Sequence, residues 1–527
     1  MIRTFNQMYK KYKDKFSDDY VVMYFNEETL TKKQFIERTE QIKKHLILLG
    51  VRQGDGVGYT LNNGMDVIPL FFAIAELGAY AIPRFPGIPA MGRMQLFQKT
   101  KASLVITNET MIDELKENAK KLDYDVKFAV VEKESNHTSI YGEPKEKVNL
   151  SQYYIAGKEN ELPLMIGTSS GTTGVPKMVC MTQENIGSEM LCVFHMLDNN
   201  IYPMEQDICG MAFPLSTSVI LILCGSLLHG RTLIISDDLT PMNFLRIVAK
   251  YKATNLSCPP AYYESLLLLK DKTNFDLSSV VKFGAGMDFF PVERMKRLKK
   301  MFPNVREFTN GYGLVETCNI FSDASYDLTS DAFESTATLE MVEQAENIMK
   351  ICDDEGKEVS IGESGELYVK GPNVVHGYMS ISGELGEEFQ NGWFHTGDIA
   401  RKESDTKFTL LGRRKYFIKR GGKSISPIVV QREINKTPGI SDSGVVGIPH
   451  PLYGEMIWAF VVKDKNSQVS LKEIKQQCKK TLPYYMLPDQ VTFVEKIPKN
   501  SGVGKVDFET LLKMGKKQLE NLKFHTY

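Results

Sequence analysis

The run Leu164-Met165-Ile166-Gly167-Thr168-Ser169-Ser170-Gly171-Thr172-Thr173-Gly174-Val175-Pro176-Lys177 decides how the rest of the chain is read. An apolar segment leads into a turn built of hydroxyl residues, glycines, a proline and a lysine. Glycines let backbone N–H groups approach phosphate oxygens, Ser and Thr hydroxyls add donors, and the lysine brings a positive charge, so the stretch reads as a phosphate cradle. It is not a Walker A loop: Lys177 comes six residues after Gly171, follows Pro176 and is followed by Met178 where that loop needs Ser or Thr.

Outward from the cradle, apolar helix-like runs alternate with short strand-like runs that end in Gly or Pro. Val67 to Leu77 precedes Gly78 and Ala79-Tyr80-Ala81-Ile82-Pro83, and Leu245 to Tyr251 precedes Thr254-Asn255-Leu256-Ser257. Such alternation predicts layered α/β structure with largely parallel sheets. Near the end the texture changes to short strands, Val445-Val446-Gly447-Ile448, Trp458-Ala459-Phe460-Val461-Val462 and Val491-Thr492-Phe493-Val494, around a helical segment from Leu471 to Lys480. That is a small α+β unit. The basic stretch Arg413-Arg414-Lys415 separates the two textures and divides the chain into residues 1–414 and 415–527.

Composition narrows the function classes. A chain of 527 residues has room for about two to four globular units, which excludes a lone small binding module. Lys and Arg total 64 against 65 Asp and Glu, a net charge of −1, so bulk charge gives no reason to expect a nucleic-acid binder and any polyanion must meet a local site. Eight cysteines without a C-x-x-C pair suggest neither a zinc site nor a disulfide framework. Met1 to Tyr20 lacks a signal-peptide core, and Val67 to Ala75 and Val219 to Leu228 are too short to span a bilayer. The expectation is a soluble cytoplasmic protein with reduced thiols.

Further motifs follow in order, and together with the cradle they resemble the acyl-adenylate-forming superfamily of acyl- and aryl-CoA synthetases, adenylation enzymes and luciferases. The cradle is similar to that family's T-S-G-T-T-G-x-P-K-G, with Met178 in place of the last glycine. Asn310-Gly311-Tyr312-Gly313-Leu314-Val315-Glu316 resembles N-x-Y-G-x-T-E, with Val315 in place of the hydroxyl residue. Gly392-Trp393-Phe394-His395-Thr396-Gly397-Asp398 resembles G-W-x-x-T-G-D. Gly412-Arg413-Arg414-Lys415 through Gly422 resembles the interdomain hinge motif, and Leu482-Pro483-Tyr484-Tyr485-Met486-Leu487-Pro488 and Pro498 to Lys505 resemble the C-terminal L-P-x-Y-M-x-P and P-x-x-x-x-G-K.

The resemblance implies a large N-terminal domain of layered α/β subdomains that takes ATP and the acid, and a small, mobile α+β C-terminal domain with a catalytic lysine. It implies a nucleotide site of Ser169, Ser170, Gly171, Thr172, Thr173, Gly174, Lys177, Gly284, Ala285, Gly286, Asn310, Gly311, Tyr312, Gly313, Asp398, Arg413 and Lys505. Physically, Asp398 suits ribose hydroxyls because an ionised carboxylate is acceptor-only and bidentate. An aromatic between glycines, Tyr312, can lie against adenine, and Glu316 can hold Mg²⁺ near the phosphates. Lys505, Glu316 and Thr172 are the implied catalytic groups, and Lys415 the hinge.

The implied reaction is adenylation of a carboxylic acid by ATP with release of pyrophosphate, then transfer to a pantetheine thiol. Lys419, Arg420, Gly421 and Gly422 would line the thiol approach; the acceptor is CoA or a carrier-protein phosphopantetheine. Ala212, Phe213, Ser216 and Thr217, with Gly286 and Gly311, would line the acid pocket. The segment from Met211 to Ser218 lacks the Asp that holds an amino-acid ammonium and resembles the N-Y-P-L-S-S of aryl-acid enzymes with Ala212 in place of Asn. A less polar aryl acid or a short acyl acid is therefore expected. The chain would act as a monomer or homodimer, without nucleic acid or membrane span. A catalytically impaired or partner-dependent homologue, and a luciferase-like oxygenase, are the competing readings.

Overall fold

The computed structural model describes residues 2–84, 88–150, 153, 155–169, 177–202, 206–269, 272–286, 290, 292–329, 338–378, 387–465, 467–499 and 506–524. Helix Val67–Glu76 shows how the sequence drives its layers. Residues 67–75 are all buried, because a helix that is apolar all round has no face to offer water. The chain then reverses at Gly78, whose φ of 64° suits a residue without Cβ, and enters strand Tyr80–Ile82.

Among the described residues, six strands form one sheet in the order Lys127–Val130, Ala102–Thr107, Gly56–Thr60, Tyr80–Ile82, Pro163–Ser169 and Lys177–Thr182. Its pairs are parallel until the last, an antiparallel hairpin whose two arms flank the phosphate cradle. A second sheet holds fourteen strands. From Val21–Phe25 through Thr232–Ile235, Ile208–Met211, Asn255–Ser257 and Lys282–Gly286 to Glu307–Tyr312 its neighbours run parallel. Beyond Tyr312 the same sheet continues antiparallel through Ser322–Asp327, Thr338–Met341, Lys407–Arg413, Trp393–Lys402, Ser364–Lys370 and Ile348–Cys352. The expectation of largely parallel sheets thus holds only for the earlier part. Among the described residues only 3₁₀ turns, and no crossover α-helix, lie between the strands from Tyr312 to Arg413, as antiparallel neighbours permit.

One core fuses the two sheets. Leu164, Met165 and Val57 of the first pack with Met23, Leu233 and Cys209 of the second through helices Phe5–Lys13, Val67–Glu76, Gln183–Asp198 and Thr217–His229. The large sheet's strand Lys407–Arg413 leads into a single 3₁₀ turn, Arg414–Tyr416, and Ile418 opens a separate five-stranded sheet. There Gly454–Lys463 pairs with Ile440–His450 and, in parallel, with Gln490–Phe493, as the α+β reading anticipates. The unit also holds hairpin Ile418–Arg420 with Lys423–Ile425, and helix Pro427–Asn435, capped by Ser426 with proline at its first position, neither of them expected from the strand-like texture. All eight cysteines are free thiols. No helix among the described residues is long and apolar enough to cross a membrane.

Candidate active site

The cradle is placed by its two arms. Ser169 pairs with Lys177 at the loop end of the hairpin, so the two flanks of the loop stand side by side. Ser170, Gly171, Thr172, Thr173 and Gly174 lie outside the described residues, and Ser169 is described by its backbone alone. Just before the loop, a methyl on Gly167 would stand 2.9 Å from the Val315 side chain and 3.2 Å from that of Thr217. The turn that carries Glu316 and the first residue of helix Thr217–His229 therefore both lie against the root of the cradle.

Parallel register brings the two glycine-rich motifs together: Gly284 faces Thr309, Ala285 faces Asn310 and Gly286 faces Gly311. After Tyr312 the chain turns so tightly that a Cβ on Gly313 would overlap the Asn319 carbonyl oxygen at 1.1 Å. Only glycine fits there. The tight turn is closed by Asn319 N–H donating to the Leu314 carbonyl at 2.7 Å and Leu314 N–H to Thr317 Oγ1 at 2.9 Å, with Cys318 and Asn319 both left-handed. Glu316 is thereby held in the 3₁₀ turn Val315–Thr317, buried, and its Oε1 accepts the Tyr378 hydroxyl at 2.9 Å. Burial, then the Glu316 charge, pushes the Tyr378 phenol well up, so it stays a donor. Val315 has no hydroxyl to offer; its methyl packs on Gly167 instead.

Asp398 faces Arg413 across neighbouring strands, and its Oδ1 lies 3.0 Å from Arg413 Nε. Arg413 is aimed by a second bond, from Nη1 to the Thr396 carbonyl at 2.7 Å, and Thr396 Oγ1 accepts the Asp398 N–H at 3.1 Å. The Tyr312 hydroxyl donates to Asp398 Oδ2 while its ring meets Phe321 and Phe408 edge-on, at 5.2 and 5.9 Å between centroids. Tyr312, Asp398 and Arg413 thus form one connected cluster. Each carboxylate oxygen has a further lone pair for another donor.

Along the segment expected to meet the acid, Ala212 and Phe213 are buried. Asn63, which the sequence reading omits, pins them: its Nδ2 donates to the Phe213 carbonyl at 2.9 Å and its Oδ1 accepts Leu215 N–H at 2.8 Å. Ser216 starts helix Thr217–His229 without a side-chain cap, and the buried Thr217 hydroxyl has no hydrogen-bond partner among the described residues. A helix start and an unused hydroxyl together offer donors to a polar substituent.

Lys505 lies outside the described residues. Lys415 sits in the turn that joins the two sheets, its Nζ 4.5 Å from the Tyr416 ring centroid. Gly421 and Gly422, with φ of 53° and 74°, make the two-residue turn of the small sheet's hairpin. Lys419 Nζ donates to Ser424 Oγ at 2.6 Å. Arg420, expected to line the thiol approach, is committed to Asp489 through two bonds of 2.6 and 2.8 Å. Among the described residues no group of three or more His, Cys, Asp or Glu could hold a metal ion. A single carboxylate such as Glu316 suits Mg²⁺, which fills its shell from phosphate and water.

A family model described as AMP-binding enzyme matches residues 10–379, and one described as AMP-binding enzyme C-terminal domain matches residues 430–505. A 4-coumarate–CoA ligase of Vanilla planifolia is 27% identical over 481 residues, 88% of this chain and 84% of that one. The solved anthranilate CoA ligase AuaEII in complex with anthranoyl-AMP has a TM-score of 0.82 at 20% identity, covering 98% of both chains. ATP-bound MatB of Rhodopseudomonas palustris has a TM-score of 0.78 at 21% identity, covering 97% of this chain and 99% of that one. These structural likenesses establish the fold.

Proposed function

This chain belongs to the AMP-binding enzyme family, and we propose that it activates a carboxylic acid other than an amino acid as its acyl-AMP, releases pyrophosphate, and passes the acyl group to the thiol of CoA or a carrier-protein phosphopantetheine. The observation that carries this reading is the contact of the cradle's root with the Glu316 turn and the start of helix Thr217–His229, since that meeting point needs phosphate, metal and acid groups together. The CoA ligases among its relatives support the choice of thiol chemistry.

Attack of a carboxylate on the α-phosphorus brings two anions together, so preorganised positive charge at the transition state is the main requirement. Lys177 and the loop hydroxyls would take the outer phosphates, and Lys505 the charge that develops at the reacting centre. Asp398, aimed by Arg413, would accept the ribose hydroxyls and so fix the nucleotide's register. Mg²⁺ bound at Glu316 would neutralise phosphate charge. For the second step the 415–527 unit would turn about Lys415 and bring Gly421 and Gly422 to the pantetheine, in a cytoplasmic enzyme. Apolar Ala212 and Phe213 with one unused hydroxyl on Thr217 favour an aryl or short acyl acid carrying at most one polar substituent.

The test is acid-dependent ATP–pyrophosphate exchange over benzoates, other aryl acids, short and medium acyl acids and amino acids, with CoA added to the active ones. Exchange confined to aryl or acyl acids, followed by CoA-ester formation, is expected. Exchange with amino acids, or none with any acid, refutes the reading.

A further inference from the structure

Lys177, the last residue of the cradle sequence, is already engaged. Its ammonium forms an ion pair with the Glu388 carboxylate and lies 4.3 Å from the centroid of the Tyr378 ring. Glu388 belongs to no cradle motif. Its own carbonyl accepts the His395 N–H at 2.8 Å, which ties it to the strand that carries Asp398. The pair remains open to solutes, with the Lys177 and Glu388 side chains 36% and 37% exposed. Partial burial is the largest single influence and pushes the Glu388 carboxyl up, but the hydrogen bond from Lys177, a backbone hydrogen bond and the Lys177 charge together hold it below the usual carboxylate range, so the glutamate is ionised at neutral pH. A triphosphate carries several charges against the one on Glu388 and makes the same kind of charge-assisted bond, so it can displace the carboxylate.

We propose that Glu388 is an internal competitor for the phosphate position on Lys177, holding the lysine in the nucleotide-free enzyme and setting how tightly ATP and pyrophosphate bind. The proposal goes beyond the function stated above and rests on it in one respect, that Lys177 receives the outer phosphates. Pyrophosphate then leaves more readily because Glu388 reclaims the lysine. AMP has no outer phosphate, so its binding is independent of Glu388.

The experiment titrates wild type and Glu388→Gln with Mg²⁺-ATP, pyrophosphate and AMP by calorimetry. ATP and pyrophosphate should bind about threefold to tenfold tighter to the variant, the range set by removing a competitor equivalent to a half-exposed ion pair, with AMP unchanged. A loss of local structure would weaken binding instead, so the sign separates the two roles. Unchanged or weaker ATP and pyrophosphate binding overturns the proposal, as does equal tightening of AMP. Glu388→Ser, which removes the same charge, must give the same result and serves alone if the glutamine variant does not fold. A wild type that binds ATP and AMP, beside variants that bind no tighter, refutes this proposal alone; a wild type that binds neither refutes the proposed function and this proposal with it.

Discussion

Tyr378→Phe isolates one bond in the site. The substitution keeps the ring, and with it the contact beneath Lys177 and the edge-on packing against Phe389 at 5.4 Å, and removes only the hydroxyl that donates to Glu316 at 2.9 Å. A hydrogen bond to an ionised group contributes about 1.5–3 kcal/mol when its partner is left unsatisfied. Tyr378 is half-buried, so water recovers part of this, and about 1.5–2 kcal/mol is expected. That corresponds to a loss of about 10- to 30-fold if the misoriented carboxylate acts in the transition state. Initial rates of pyrophosphate exchange, measured across a Mg²⁺ titration, give the answer. The expected result is a lower rate and a higher Mg²⁺ requirement, with a melting temperature lowered by no more than a few degrees in a chain of this size. A rate and Mg²⁺ dependence equal to wild type would refute the role given to Glu316 and its tyrosine.

Three other outcomes are expected. Lys505→Ala should lower adenylation at least ~100-fold while ATP binding survives, as for other preorganised electrostatic groups; an unchanged exchange rate removes the assignment. Gly313→Ala drives a methyl into the Asn319 carbonyl oxygen and should cost about 3 kcal/mol by urea unfolding, the upper range for forced overpacking, with exchange activity lost; an unmoved midpoint contradicts the turn described. Asp323, buried opposite Gly311, has its carboxyl pushed up to about 6 by burial, against the partial relief of His195 3.8 Å away. The folded state therefore holds a proton that the unfolded chain releases near pH 4, and stability falls as pH rises from about 4 through 6. Asp323→Asn should raise stability by about 1–2 kcal/mol above pH 6, after a discount for His195, and by little near pH 4; a difference independent of pH speaks against this.

What the sequence makes legible follows the distance over which its residues act. Gly313 and Glu316 stand three apart and are shaped by one local turn, and Asp398 and Arg413 lie on neighbouring strands, so motif spacing locates them. Tyr378 meets Glu316 across 62 residues, Glu388 meets Lys177 across 211 and Asn63 meets Phe213 across 150. No periodicity or spacing encodes such contacts; they exist only once the sheets have formed. Arg420, beside two glycines, reads as a cation of the thiol approach, yet Asp489, 69 residues on, takes both its terminal nitrogens. The antiparallel half of the large sheet is obscured for another reason. Ser364–Lys370 is buried at five consecutive positions, and a strand covered on both faces loses the alternation that marks antiparallel pairing, although its neighbour Trp393–Lys402 keeps it.

The cysteines carry a practical consequence for testing the rotation proposed for the 415–527 unit. Seven of the eight are buried, and burial pushes Cys180, the half-buried one, up to about 11 and Cys478 up to about 12. Alkylating reagents attack thiolates, so the native chain should stay nearly silent toward them at neutral pH. A cysteine introduced at Tyr484 on the small unit, 84% exposed, and a second at Ile361 on the large one, 67% exposed, would then take spin labels or dyes almost alone. The distance between those two probes, followed as ATP, acid and CoA are added in turn, would show directly whether the two units rotate about the single turn at Arg414–Tyr416.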